Sequence, residues 1–273
     1  MSPKPFKLAM IQMEVRGGEL ERNLEQALKQ IAEAASQGAE VILLPECLDL
    51  GWTHPSSQTL AEPIPEGRPC QRLAEAAQKH EVYICSGLTE KQGEKIYNSA
   101  VLINPQGELL LKHRKLNELE IGHAYYAQGD GLQVAQTEFG TIGVMICADG
   151  FATGQVISRS LCYMGADVIL SPCAWARPAD HDNELDPYGS VWRESYKPVA
   201  ARFSTAIFGT SNVGPITDGP WKGRKCVGCS LAIDANGDEM FQGPYGEACI
   251  LYAEVIPKER PTRGTGWGTP IPL

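Results

Sequence analysis

Three observations in the sequence predict an α/β (α+β) fold, a four-layer α-β-β-α sandwich. Residues 7–13 and 40–44 are apolar runs of strand length, and residues 20–35 carry apolar side chains at helical spacing, which together indicate a βαβ unit. Residues 141–170 repeat the order of strand, helix and strand. Turn sequences such as Asn-Pro-Gln-Gly at 104–107 add hairpins. Because sheets covered by helices on one side leave an apolar face, a second sheet is expected to cover it.

The remaining elements follow from the same two periodicities. Helices are predicted at residues 70–80, 155–164 and 190–204, and strands at residues 82–87, 97–103, 109–112, 141–147, 166–170 and 206–209. Residues 230–235 and 250–255 are expected to pair as later strands around an Asn-Gly turn at 236–237.

The chain contains no long linker, so residues 1–273 are predicted to form a single domain with a core of about residues 5–256. The tail, residues 257–273, is rich in Pro, Gly and Arg and has no apolar periodicity. We expect it to lie at a subunit interface or across the surface.

Composition and charge argue against several classes of partner. The net charge is −9 and Lys and Arg form no cluster, so no nucleic acid is expected to bind. No apolar segment approaches membrane-spanning length, and no signal segment precedes the first strand, which predicts a cytoplasmic protein without a membrane partner. The nine cysteines are scattered, which favours reduced thiols. The single CxxC pair, Cys226 and Cys229, lacks a second pair, so no metal site is expected.

Cys147 is the first candidate for a functional side chain. It follows the glycine-punctuated apolar run 140–146 and precedes the small residues Ala148 and Gly150. A packed strand would hold the backbone still, and the small residues leave room for a tight turn and for a substrate. The same pattern also suits a buried core cysteine.

Two ionisable residues also end apolar strands. Glu46 follows Val-Ile-Leu-Leu-Pro at 41–45, where partial burial raises the pKa of a carboxyl and makes it a usable base. Lys115 ends a strand that runs through the basic residues 112–114. Taken singly, Glu46 could cap a loop and Lys115 could be a solvated strand end.

Together these residues resemble the catalytic triad of the carbon-nitrogen hydrolase (nitrilase) superfamily. The family's glutamate motif is similar to residues 43–46 (LLPE), its Arg-Lys motif to residues 113–116 (HRKL), and its cysteine motif to residues 143–149 (GVMICAD). Residues 165–170 (GADVIL), 171–175 (SPCAW) and 210–212 (TSN) match flanking segments. The resemblance extends to about residue 255 and implies the sandwich fold, a thiol hydrolase acting on C–N bonds other than peptide bonds, and a homodimer or higher homo-oligomer.

Elementary chemistry explains why a thiol needs two such neighbours. A free thiol has a pKa of about 8.5, so attack at neutral pH needs a base or a nearby cation. Glu46 would take the proton, and Lys115, with the backbone N–H of Ala148 as an auxiliary donor, would stabilise the oxyanion. Ammonia or an amine would leave, water would release the acid from a Cys147 thioester, and no metal or organic cofactor is required.

The resemblance also implies a second glutamate a few residues beyond the lysine. Glu118 and Glu120 compete for that role, and the spacing to Gly129 favours Glu120. Both acids could instead cap a loop.

Four further residues are candidate substrate contacts. Asp149, two positions after the cysteine, is typical of the amidase and carbamoyl-hydrolase branch, whereas true nitrilases usually have Trp and Glu there; the small Ala148 departs from both patterns. Asp182 lies in the acidic run 180–186, which could receive a cationic substrate or could be a solvated loop. Trp175 and Tyr188 could supply apolar walls or belong to the core.

The predicted substrate is therefore a small amide or N-carbamoyl compound. Three alternatives remain: a true nitrilase, a non-catalytic relative that acts as a binding module, and a papain-like hydrolase in which a histidine partners Cys147. The five histidines, His54, His80, His113, His123 and His181, have no obvious partnering motif.

Overall fold

The protein is described by a computed structural model that covers residues 4–258. Two six-stranded sheets dominate it, and their strands come from both halves of the chain. The strands are β1 Phe6–Gln12, β2 Val41–Leu43, β3 Tyr83–Gln92, β4 Lys95–Ile103, β5 Leu109–Arg114, β6 Val134–Thr137, β7 Gly140–Val144, β8 Val168–Cys173, β9 Ala176–Pro178, β10 Ala206–Ser211, β11 Val213–Pro215, β12 Arg224–Val227, β13 Leu231–Ile233, β14 Glu239–Gln242 and β15 Cys249–Val255.

Within residues 4–258, five α-helices and three short 3₁₀ helices connect these strands. The α-helices are α1 Leu20–Ser36, α2 Ser57–Leu60, α3 Arg68–His80, α4 Val156–Tyr163 and α5 Ser190–Phe203. The 3₁₀ helices are Glu120–Ala124, Cys147–Phe151 and Thr153–Gln155.

The first sheet has the order β15-β1-β2-β3-β4-β5, with β1, β2 and β3 parallel. Side chains on β1 alternate between its two faces, as the pleat of a strand requires. Ala9 and Ile11 share an apolar core with Leu24 and Ile31 of α1, whereas Leu8 belongs to the core that contains the second sheet. Helices α1 and α3 therefore cover the outer face of the first sheet.

The second sheet has the order β14-β13-β10-β8-β7-β6, with β7, β8 and β10 parallel. Its central strands are buried throughout, which explains why residues 168–170 are all apolar. Phe208 of β10 and Val199 of α5 lie in the same core as Leu8 and Met10 of the first sheet. The predicted four-layer α-β-β-α sandwich is confirmed, with α4 and α5 as the fourth layer. A small third sheet, β11-β12-β9, lies beside it.

One predicted strand pairing is wrong. The loop after β13 is tighter than expected, because the Asp234 carboxylate accepts the N–H groups of Asn236 and Asp238 and Gly237 takes a φ of +84°. The returning strand is therefore β14, whereas β15 pairs antiparallel with β1 in the other sheet. Sequence periodicity alone cannot tell whether β15 pairs with β13 or with β1, because β13 and β1 are both apolar.

No helix among residues 4–258 is long and apolar enough to cross a membrane. Most of the tail predicted to reach a subunit interface, residues 259–273, lies outside the described residues.

Candidate active site

Glu46 lies just beyond the carboxyl end of β2, between the two sheets. Its backbone N–H donates to the carbonyl oxygen of Cys173 at 3.2 Å, which joins the end of β2 to the end of β8. A Cβ at residue 87 would lie 2.5 Å from the Cα of Glu46, so glycine at that position of β3 permits the close approach. The Glu46 residue is 1% exposed.

Lys115 follows the edge strand β5, and its ammonium group bridges two carboxylates. The Nζ donates to Oε1 of Glu46 at 2.8 Å and to Oε1 of Glu118 at 3.0 Å. Asn98 of β4 supports the same pair, since its Nδ2 donates to Oε1 of Glu46 at 2.6 Å and to Oε2 of Glu118 at 3.1 Å. The ammonium also lies 5.6 Å from the ring centroid of Trp52. The four polar side chains thus form one buried network.

Cys147 does not continue strand β7, as the sequence predicted. The strand ends at Val144, and Cys147 begins a 3₁₀ helix with a φ of +45°. A left-handed conformation is strained for a residue with a side chain, and such strain clusters at functional turns. The turn presents the thiol at the mouth of the sheet rather than within it.

The electrostatics of this cluster follow from burial and from the pairing of charges. Burial raises the pKa of Glu46, with help from the Glu118 carboxylate, although Lys115 opposes the shift. Burial alone would lower the pKa of Lys115, but Glu46 and Glu118 together hold it well above its ordinary value. Burial, the neighbouring Cys173 thiol and Glu46 raise the pKa of Cys147, and Lys115 only partly offsets them. In the resting site Cys147 is therefore a neutral thiol beside a protonated lysine.

The sequence spacing favoured Glu120, but the carboxylate that bonds Lys115 is that of Glu118. The Glu118 side chain is 4% exposed and bonds Lys115, whereas Glu120 is exposed at the start of a 3₁₀ helix. Glu118 lies three residues after Lys115, and its Oε1 also accepts the N–H of Leu119. The bend of the backbone after β5, which spacing alone does not reveal, selects Glu118.

Glu46, Lys115 and Cys147 line one cavity of about 260 Å³. Trp175 and Tyr188 line it too, as the sequence suggested, and so does Ala148. Its walls are otherwise mostly apolar and contain residues that sequence reasoning missed: Trp52, Leu119, Phe151, Ala174, Ala176, Val191, Trp192 and Trp221. Trp175 stacks on Trp192 with ring centroids 4.5 Å apart, so the aromatic wall is a packed unit.

Two predicted substrate contacts do not reach this cavity. Asp149 is fully buried, and its carboxylate accepts four N–H groups of the protein. Asp182 is exposed, and its Oδ1 accepts the N–H groups of Glu184 and Leu185 within its own loop. Among the described residues, the one charged side chain that lines the cavity besides Glu46 and Lys115 is Arg177.

Arg177 belongs to the short strand β9. It pairs with Asp186, whose side chain is 66% exposed, and its guanidinium carbon lies 5.8 Å from the Tyr188 ring centroid. Its Nε is buried and has no hydrogen-bond partner among the described residues. The sequence of residues 177–187 is typical of a solvated acidic loop, so it gives no signal that Arg177 lines the cavity. Asn98, by contrast, was visible as a polar residue inside the apolar strand 97–103.

Among residues 4–258, no group of three or more His, Cys, Asp or Glu side chains is placed to hold a metal ion. None of the five histidines lines the cavity that contains Cys147. His113, the most buried of them, bonds Asp149 instead. The geometry therefore gives no support to a papain-like pairing of cysteine and histidine.

The chain is similar in sequence and in fold to known proteins. The family model described as carbon-nitrogen hydrolase matches residues 7–261. A protein named nitrilase from Pyrococcus abyssi is 36% identical over 253 residues, which cover 91% of this chain and 89% of that protein. An omega-amidase from Bos taurus is 35% identical over 187 residues, 62% of this chain and 67% of that protein. The crystal structure of a carbon-nitrogen hydrolase from Helicobacter pylori G27 superposes with a TM-score of 0.82 at 22% identity, covering 92% of this chain and 89% of that one.

Proposed function

The chain belongs to the carbon-nitrogen hydrolase family, and we propose that it hydrolyses the C–N bond of a small amide or N-carbamoyl compound through a thioester on Cys147. One observation carries the proposal: a neutral thiol, a buried carboxylate of raised pKa and a buried ammonium group line a single cavity. These are the nucleophile, the base and the cation that amide hydrolysis by a thiol requires.

In the first half-reaction the Glu46 carboxylate takes the proton of the Cys147 thiol as sulfur attacks the carbonyl carbon. The high pKa of that thiol in the resting site is the reason that a base is needed. The Lys115 ammonium stabilises the oxyanion, with the N–H of Ala148 as the second donor. Glu46 then gives its proton to the leaving nitrogen, the C–N bond breaks, and ammonia or an amine departs.

In the second half-reaction water attacks the thioester carbon while Glu46 takes a proton from it. The C–S bond breaks, the proton returns to the sulfur, and the carboxylic or carbamic acid leaves. Glu118 contributes by holding the ammonium of Lys115 in place and by keeping its pKa high.

The cavity lining favours a substrate whose far end is uncharged or anionic. The acidic residues of 180–186 do not line the cavity, so the expected site for a cationic substrate loses its support. Arg177 supplies positive charge instead, and its pairing with the exposed Asp186 is solvated and easily exchanged for a substrate carboxylate. Trp175, Trp192 and Trp221 line the same cavity and supply apolar walls.

A screen for ammonia release over amides, N-carbamoyl compounds and nitriles, each with neutral, cationic and anionic variants, tests the substrate class. The nitrilase alternative predicts turnover of nitriles with little turnover of amides. It stays a candidate because the relative from Pyrococcus abyssi is named nitrilase. A non-catalytic relative would turn over none of them.

The Cys147→Ala variant tests the mechanism. It should remain folded, with an unchanged thermal midpoint, and release no ammonia. Mass spectrometry of the native protein quenched during turnover should find the acyl group on Cys147. Native-like turnover by Cys147→Ala would refute the proposed nucleophile.

Assembly into a homodimer or larger homo-oligomer and a cytoplasmic location are further parts of the proposal. Val156 and Tyr163 of helix α4 and the following Met164 are between 44% and 56% exposed, which offers apolar side chains for contact with a second copy. Light scattering that finds a strict monomer would contradict self-association.

A further inference from the structure

Asp149 follows the proposed nucleophile by two residues but does not face the cavity. The residue is 0% exposed, and burial of a carboxylate is costly unless hydrogen bonds compensate for the lost water. Hydrogen bonds within the protein must therefore stabilise the buried carboxylate.

Each of its oxygens accepts two N–H groups. Oδ1 accepts the backbone N–H groups of Leu116 at 3.1 Å and Asn117 at 2.7 Å. Oδ2 accepts the backbone N–H of Ile146 at 2.9 Å and lies 2.8 Å from Nε2 of His113. These bonds outweigh burial and lower the pKa of Asp149, so the group is ionised at neutral pH.

The four donors belong to two segments that carry the reacting groups. His113, Leu116 and Asn117 flank Lys115 on both sides, whereas Ile146 immediately precedes Cys147. Asn117 adds a fifth bond, from its Nδ2 to the carbonyl oxygen of Ala148 at 2.7 Å. The segments extend from different sheets, β5 in the first and β7 in the second. Other polar bonds join the two sheets elsewhere, such as the Glu46 N–H to the carbonyl oxygen of Cys173, and the rest of the contact is mainly apolar packing, which is non-directional.

We propose that Asp149 is a positioning residue that sets the Cys147 turn against the Lys115 segment, a role that rests on the proposed function of those two residues. The set of bonds from Asp149 to residues 113, 116, 117 and 146 is here called the Asp149 clamp. A carboxylate suits it because both oxygens only accept, and every partner donates. An asparagine amide would turn its NH₂ toward two N–H donors in either orientation.

The clamp acts on the geometry of attack and not on substrate binding. Since a displacement of about 1 Å costs about 100-fold in rate, Asp149→Asn should lower kcat by about that factor. KM should stay within about threefold of the native value, because the side chain does not line the cavity. Alkylation of Cys147 by iodoacetamide should also slow. A substrate contact would instead raise KM.

Asp167→Asn is the matched control for the general effect of placing an amide at a buried carboxylate site. Asp167 is also buried, and its Oδ2 accepts the N–H of Thr141 at 2.8 Å, at the end of β7 remote from Cys147. This variant should lower the thermal midpoint while the folded protein keeps the native kcat. A purely structural role for Asp149 predicts the same pattern in Asp149→Asn, and that result would overturn the proposal.

A second pair of variants decides the matter if Asp149→Asn fails to fold. His113→Leu removes one donor of the clamp while keeping an apolar side chain of similar size, and kcat should fall about tenfold with KM unchanged. His113→Gln places an amide N–H near the position of Nε2 and should restore most of the rate. Equal activity of both variants would contradict the clamp. Cys147→Ala is assayed alongside as a test of the proposed function. If Cys147→Ala retains turnover, the proposed function fails. If it is inactive while both His113 variants are equally active, only the Asp149 clamp fails.

Discussion

Replacing Glu118 by Gln removes one of the two carboxylates that flank the Lys115 ammonium. Glu46 serves as a base only when it is ionised, so activity rises with pH through its pKa. The neighbouring Glu118 charge raises that pKa. Glu118→Gln should therefore move the acid limb of kcat/KM to lower pH, and it should also weaken Glu46 as a base and lower the maximal rate.

The size of this effect follows from the geometry. Oxygens 2.8 and 3.0 Å from one ammonium nitrogen, on N–H bonds at the tetrahedral angle, lie about 4.7 Å apart. At an effective dielectric constant of about 20, two charges at that separation repel by about 3.5 kcal/mol. Local relaxation takes up part of this energy, and the remainder moves the acid limb to lower pH.

The assay is ammonia release from a responsive amide, measured as kcat/KM between about pH 4 and pH 9. Glu120→Gln is the matched control, because it removes the same charge from an exposed side chain two residues away. Its profile should coincide with the native one. An acid limb that stays in place in Glu118→Gln, or that moves upward, would refute the assigned roles of Glu46 and Glu118.

Three further predictions concern specificity and packing. Arg177→Gln should raise KM about tenfold or more for amides that carry a carboxylate, because a bond to a charged group is worth about 1.5–3 kcal/mol. KM for neutral amides should stay unchanged. An equal change for both classes would argue against a substrate with an anionic end. Gly87→Ala should lower the free energy of unfolding by about 1–3 kcal/mol and reduce kcat, since its Cβ would lie 2.5 Å from the Cα of Glu46, which urea denaturation and steady-state kinetics can check. Phe208→Ala, at a fully buried position of β10, should cost about 3–5 kcal/mol in urea denaturation, and a loss below about 1 kcal/mol would contradict its place in the core.

Much of the fold was predictable because its signals are local. The apolar runs of β1, β2 and β8 and the helical spacing of α1 are properties of adjacent residues, and the structure has these elements close to the predicted positions. The pairing of β15 with β1 was not predictable, because any apolar strand satisfies the same sheet edge. The single-domain organisation inferred from the sequence stays a prediction.

Some residues of the candidate site were predictable from the sequence and others were not. Glu46, Lys115 and Cys147 were predicted from strand ends and motif order, and the structure brings all three to one cavity. The sequence favoured Glu120 over Glu118, placed Asp149 against the substrate and did not single out Arg177. Their roles depend on how the backbone bends after β5, on which N–H groups converge on one carboxylate, and on which side of β9 faces the cavity.

The sequence by itself determined the class of fold and singled out Glu46, Lys115 and Cys147 as candidates, because periodicity and strand ends are properties of neighbouring residues. Only the tertiary structure decided where the Asp149 carboxylate lies. Adjacency to the cysteine suggested a substrate contact, whereas the fold turns the carboxylate inward to N–H donors from both sheets. A buried carboxylate is held where its donors lie, and sequence distance does not record where residues 113, 116 and 117 meet residue 146.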